Sequence, residues 1–105
     1  LRVGAAQDVL PQLEGPFDLV FVDADKANNA RYAQWGLKLS RPGTVIVCDN
    51  VIREGRLVDG SGADPAVEGT RALIDLFVRE ERVTATAIQT VGRKGWDGFA
   101  VAVVG

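Results

Sequence analysis

Two short apolar runs, each ending in an acid, constrain this chain more than any other feature. Phe17-Asp18-Leu19-Val20-Phe21-Val22 follows Gly15-Pro16 and ends in Asp23, and Thr44-Val45-Ile46-Val47-Cys48 follows Pro42-Gly43 and ends in Asp49-Asn50. Near-continuous apolar runs of this length, rich in aromatic and β-branched residues, predict strands covered on both faces, as in a parallel sheet. Between them Ala30, Ala33 and Leu37 share one helical face. Strand, helix, strand is a βαβ unit, expected to cross right-handed.

The flanking segments extend this α/β plan. Ala6, Val9, Leu10 and Leu13 form a short helical stripe, with Pro11 tolerable only near a first turn. Leu1-Arg2-Val3 reads as the tail of a strand, and residues 51–62, including Gly60-Ser61-Gly62, read as a polar loop. Asp64-Pro65 is a helix start, a capping side chain followed by proline at the first helical position. Leu73, Leu76 and Phe77 give that helix its buried face. Residues 83–91 and 99–104 predict an antiparallel hairpin, joined by a long loop through Gly92-Arg93-Lys94-Gly95-Trp96-Asp97-Gly98.

Composition narrows the chemistry. The 105 residues are 47% hydrophobic and 25% charged, far from a disordered profile. A formal net charge of −2 offers no basic patch for nucleic acid. No apolar run approaches the ~20 residues that span a membrane, and Leu1-Arg2-Val3-Gly4 lacks the build of a signal peptide. A single cysteine, Cys48, fits a reducing cytoplasm, and its position one residue before Asp49 suggests packing. There is no histidine, which removes serine-hydrolase triads, histidine bases and most zinc sites. Catalysis would have to use carboxylates, lysine, tyrosine or a bound metal.

In open α/β sheets, ligands bind beyond the carboxyl ends of the strands. Asp23 and Asp25 leave one strand there, Asp49 and Asn50 the other. Oxygen donors converging at that edge suit a hard cation such as Mg²⁺. The plainer alternative is that the acids cap the following helix or loop and stay solvated. Lys26, three residues beyond Asp23 near a helix start, opposes the helix dipole, which argues for a local carboxylate partner. Such a lysine, close to a metal and drawn out of water, could accept a proton. Tyr32 and Trp35 lie on the helix between the strands, where most aromatics belong to the core or snorkel. Trp96, in the hairpin connection, could line an entrance or meet a partner.

Taken together, Phe17-Asp18-Leu19-Val20-Phe21-Val22-Asp23-Ala24-Asp25-Lys26, Arg41-Pro42-Gly43 and Val47-Cys48-Asp49-Asn50-Val51 resemble the cation-dependent O-methyltransferases. That family includes catechol and caffeoyl-CoA O-methyltransferases. The interval of 26 residues from Asp23 to Asp49, the Asp64-Pro65 helix and the closing Trp96-Asp97-Gly98-Phe99 agree with it. The resemblance implies a Rossmann-like class I methyltransferase sheet of order 3-2-1-4-5-7-6. Residues 1–105 would be the C-terminal part of that single domain, supplying strands 4, 5, 7 and 6 and a remnant of strand 3. The N-terminal half, with its glycine-rich cofactor turn, would be absent.

By the same resemblance, Asp23, Asp49 and Asn50 would ligate Mg²⁺ or another divalent cation such as Ca²⁺ or Mn²⁺. Ala6, Asp25 and Tyr32 would contact S-adenosylmethionine. Lys26, with Asp23, would carry catalysis as general base, and Asp23 and Glu54 would meet the substrate. Asn29 stands where many relatives have tyrosine, removing an aromatic contact near the cofactor. The implied reaction is methylation of a small phenolic or catechol-type hydroxyl in the cytoplasm, by a homodimer or a chain associated with its missing half. Read without the resemblance, the same carboxylates would also serve a Mg²⁺-dependent phosphoryl-transfer or hydrolase domain, or cap a non-catalytic Rossmann-like interaction module.

Overall fold

A computed structural model describes residues 1–58 and 64–105. The loop was expected over residues 51–62: its part at 59–62, with Gly60-Ser61-Gly62, lies outside the described residues, and its described part winds into 3-10 turns over Arg53–Val58. Among the described residues, four strands, β1 (Phe17–Val22), β2 (Ser40–Asp49), β3 (Val83–Gly92) and β4 (Gly95–Val104), form one mixed sheet of order β1-β2-β4-β3. β1 and β2 are parallel, and β4 runs antiparallel to both its neighbours. This is the expected 4-5-7-6 arrangement. The α-helices α1 (Ala6–Val9), α2 (Asn29–Lys38) and α3 (Pro65–Arg79) accompany it.

α2 forms where Ala33 and Leu37 can face the sheet, and both are buried with Tyr32 against Val22, Ile46 and Cys48. α3 starts as its sequence dictates. Asp64 accepts a hydrogen bond from the Ala66 amide at 2.9 Å, and Pro65, which lacks a donor, occupies the first turn. Leu73 and Phe77 then join Ala100, Ala102 and Val104 in the same core. Burial pushes the Cys48 thiol up to about 12, against a weaker opposing pull from the Lys26 amine. Cys48 is therefore an inert packing group.

Gly69, inside α3, lets the helix seat on the turn that carries Lys26. A Cβ there would lie 2.1 Å from the Lys26 carbonyl oxygen and 2.7 Å from Ala27 Cα. Backbone cannot swing aside as a flexible side chain can. Gly69→Ala should therefore destabilise the fold by about 1–3 kcal/mol, despite alanine's better helix propensity of about 1 kcal/mol. Denaturant unfolding of the two proteins checks this, and an equal or more stable variant would show that α3 can shift without cost.

Three expectations change. Leu1-Arg2-Val3 forms no strand: Leu1 and Val3 are exposed, with no neighbouring strand among the described residues to pair with. β2 begins at Ser40, where it already pairs with Phe17 before the register shifts. The hairpin connection is short. β3 and β4 stay paired as far as Gly92 and Gly95, leaving only Arg93-Lys94 as the turn. The glycines that suggested a loop serve the strands instead: a Cβ on Gly98 would sit 2.4 Å from the Ile88 carbonyl oxygen.

The helices cover one face of the sheet. On the other, Leu19 and Phe21 are each 62% exposed, Ile88 46% and Val103 44%.

Candidate functional site

Strand register positions the acids. Val22 pairs with Cys48, so Asp23 leaves β1 at the same end of the sheet at which Asp49 closes β2. Asp49 Oδ1 accepts the Asn50 backbone N–H at 2.7 Å. Asn50 itself is left-handed (φ 60°), which asparagine tolerates better than most residues. Arg53 (φ 54°) and Glu54 (φ 55°) are also left-handed, a costlier backbone for non-glycine residues.

Asp97 holds this turn. Its Oδ1 accepts N–H groups from Arg53 at 2.8 Å, Gly98 at 2.9 Å and Ile52 at 3.1 Å, and its Oδ2 accepts the Asn50 side-chain NH₂ at 3.2 Å. Burial raises the Asp97 pKa, but the hydrogen bonds from Arg53, Gly98, Asn50 and Ile52 together outweigh it and leave the group below the usual carboxylate range. Sequence reasoning passed over Asp97. The available signal was an acid wedged between Trp96 and Gly98 directly before an apolar strand.

Lys26 is tied to the same edge. Its Nζ donates to Asp23 Oδ1 at 2.9 Å, and its side chain is only 12% exposed against 51% for Asp23. The local carboxylate partner towards which the helix-dipole argument pointed is present. A carboxylate has a second oxygen, so this pairing does not exhaust Asp23.

Beside them Tyr32 donates its hydroxyl to Asp25 Oδ1, and Asn28 donates to Asp25 Oδ2. The Tyr32 bond, then the Asn28 bond, lower the Asp25 pKa, and the same contact with Asp25 raises that of Tyr32. Asn29 is fully buried, and its side-chain amide has no partner among the described residues.

Two cavities organise these groups. One, of about 310 Å³, is lined by Ala6, Tyr32, Asp23, Val22 and Gly36, among others. It brings together two cofactor candidates and one metal candidate. The second, of about 440 Å³, gathers Asp49, Asn50, Glu54, Trp96 and Asp97 beneath the Arg93-Lys94 turn. Trp96 therefore lines a cavity from within β4, close to Gly55, where a Cβ would meet its ring at 2.9 Å. Trp35 instead lies half-buried on α2 with the Lys38 amine 4.6 Å from its ring centre.

The donor set fits a hard cation in kind: two carboxylates at the ends of neighbouring parallel strands, lining separate cavities, and one amide whose NH₂ is turned towards Asp97, freeing its oxygen. Among the described residues, no group of three or more Asp, Glu, Cys or His could hold an ion, so the amide would have to take part.

A mixed α/β sheet bearing acids at the carboxyl ends of its parallel strands is the frame of a class I methyltransferase. Residues 1–97 match the O-methyltransferase family model, and the chain belongs to that family. It is 56% identical over 97% of its length to a catechol O-methyltransferase of Mycobacterium tuberculosis, covering 46% of that protein. It is 49% identical over 99% of its length to one from Niastella koreensis, covering 49% of it. The crystal structure of a Bacillus cereus O-methyltransferase in complex with SAH superposes with a TM-score of 0.95 at 55% identity, over 99% of this chain and 49% of that one. TomG of Streptomyces achromogenes, in complex with SAM, gives 0.92 at 48% identity, over 96% of this chain and 47% of that one. The chain thus spans about half the length of the relatives it matches.

Proposed function

We propose that these residues are the C-terminal part of a methyltransferase domain that transfers a methyl group from S-adenosylmethionine to a phenolic hydroxyl of a catechol-type substrate, with the help of a divalent cation. The observation that carries this reading is the Lys26 amine held 2.9 Å from Asp23, at the edge where Asp23 and Asp49 end adjacent parallel strands. The relatives named catechol O-methyltransferase, and the neighbours bound to SAH and SAM, support the substrate and cofactor classes.

Asp23, Asp49 and the Asn50 amide oxygen would hold the cation, and Ala6, Asp25 and Tyr32 would contact the cofactor. When bound, the cation makes the hydroxyl more acidic and the sulfonium supplies the methyl group. Lys26, after its ammonium has released a proton to solvent, would take the hydroxyl proton on the neutral Nζ, and Asp23 keeps that amine at the strand ends. Glu54, on its left-handed turn, faces the same cavity as Asp49 and Asn50 and would meet the substrate. Displacement at a methyl carbon needs little beyond alignment of oxygen, carbon and sulfur, which positioning alone can favour by about 7–11 kcal/mol. No described helix is long and apolar enough to cross a membrane. A cytoplasmic location, and a homodimer or association with the rest of the domain, belong to the same proposal and are carried over from the family resemblance alone.

The test uses the intact protein with a vicinal diphenol, methyl-labelled S-adenosylmethionine and Mg²⁺. Methylated product is expected, falling at least about 100-fold with a chelator and returning when Mg²⁺ is restored. A rate indifferent to chelation, with product still formed, would remove the cation. Absence of methyl transfer to any vicinal diphenol would remove the substrate class.

A further inference from the structure

We propose that Asp97 is a positioning residue that sets which end of the Asn50 amide faces the cation, a role that rests on reading Asp23, Asp49 and Asn50 as the cation site. The two ends of a carboxamide have nearly the same shape, but only the oxygen can ligate a cation. Something must fix the choice. Asp97 Oδ2 accepts the Asn50 NH₂ at 3.2 Å, and an ionised carboxylate can only accept. The amide oxygen is therefore turned away from Asp97. Through Oδ1, Asp97 also gathers the N–H groups of Ile52, Arg53 and Gly98, fixing the left-handed turn that begins at Asn50. Asp97 lies 47 residues from Asn50 in sequence and reaches it because β4 pairs with β2, Phe99 opposite Asp49. One side chain thus controls both the path of the turn and the orientation of its amide.

The two roles separate experimentally. Asp97→Asn keeps an oxygen for the three backbone donors but turns an NH₂ towards the Asn50 NH₂. Donor then faces donor, and the Asn50 amide is driven over, bringing its nitrogen to the cation. Mg²⁺ affinity, measured by calorimetric titration of the intact protein, should fall by about 10–100-fold, as for other groups that orient metal ligands. S-adenosylmethionine affinity and melting temperature should stay near those of the parent.

The exchanged pair Asn50→Asp with Asp97→Asn restores one donor and one acceptor. It should recover most of the lost Mg²⁺ affinity. Weak binding by Asp97→Asn with recovery in the exchanged pair establishes the role. Parental Mg²⁺ binding by Asp97→Asn overturns it, and so does failure of the exchanged pair to recover, which would leave Asp97 as a brace for the turn. Asn50→Ala distinguishes the deeper failure: unchanged Mg²⁺ binding in that variant removes the cation site itself, and the proposal with it.

Discussion

Lys26→Met in the intact protein is expected to lower turnover by about 10²–10⁴-fold, the usual contribution of a positioned general base. Methionine keeps an unbranched apolar stem of similar length, so the packing around this 12% exposed side chain should survive. What disappears is the one amine paired with Asp23 at the strand ends. The stability cost should be small, because Asp23 is half exposed and water can replace its lost partner. S-adenosylmethionine affinity should change little, since Asp25 and Tyr32 hold each other independently of Lys26. Single-turnover kinetics alongside cofactor titration separates the two effects. Turnover within a few-fold of the parent would mean that water, not Lys26, takes the proton. The Asp23→Asn variant would then lose activity through the cation alone.

The parts of the fold that could be read from the sequence are those written in local pattern. β1 and β2 follow from continuous apolar runs, α2 from Ala33 and Leu37 on one face, and the start of α3 from Asp64-Pro65. The pairing of Lys26 with Asp23 followed from a charge argument over three residues. What could not be read depends on distant backbone. Glycine marks both turns and close approaches, so Gly95 and Gly98 suggested a loop when they permit a strand to pass near Glu54 and Ile88. Trp96 moved with them, from a loop aromatic to the wall of a cavity. Asp97 was invisible for the same reason. Its partners Asn50, Ile52 and Arg53 are 44 to 47 residues away and meet it only once β2 and β4 pair. The strand expected at Leu1-Arg2-Val3 failed because an extended apolar stretch becomes a strand only against a partner.

The 105-residue chain on its own is expected to self-associate and to bind S-adenosylmethionine negligibly. β1 ends the sheet, and its outer edge offers unpaired backbone donors and acceptors to another chain. That edge is also greasy: Phe17 is 38% exposed, and Leu19 and Phe21 62% each. In the family sheet order the next strand lies against this edge, and the relatives, about twice as long, have residues to supply it. With that cover absent, pairing through β1 or across the bare sheet face removes apolar surface from water at about 25 cal/mol per Å². Sedimentation velocity should show an apparent mass above 11.2 kDa that grows with concentration. Phe21→Lys, a charge on an exposed strand edge, should reduce the association. The cofactor half of the argument is separate. Ala6 and Tyr32 line one wall of the 310 Å³ cavity, and β1 itself, through Leu19 and Phe21, forms another. A cofactor lying there would rest on the open edge of the sheet. Low-micromolar binding by a monomer of this length would show that the cofactor site lies wholly within these residues. A monodisperse 11.2 kDa species at tens of micromolar would show that the β1 edge is protected by its own twist and charges.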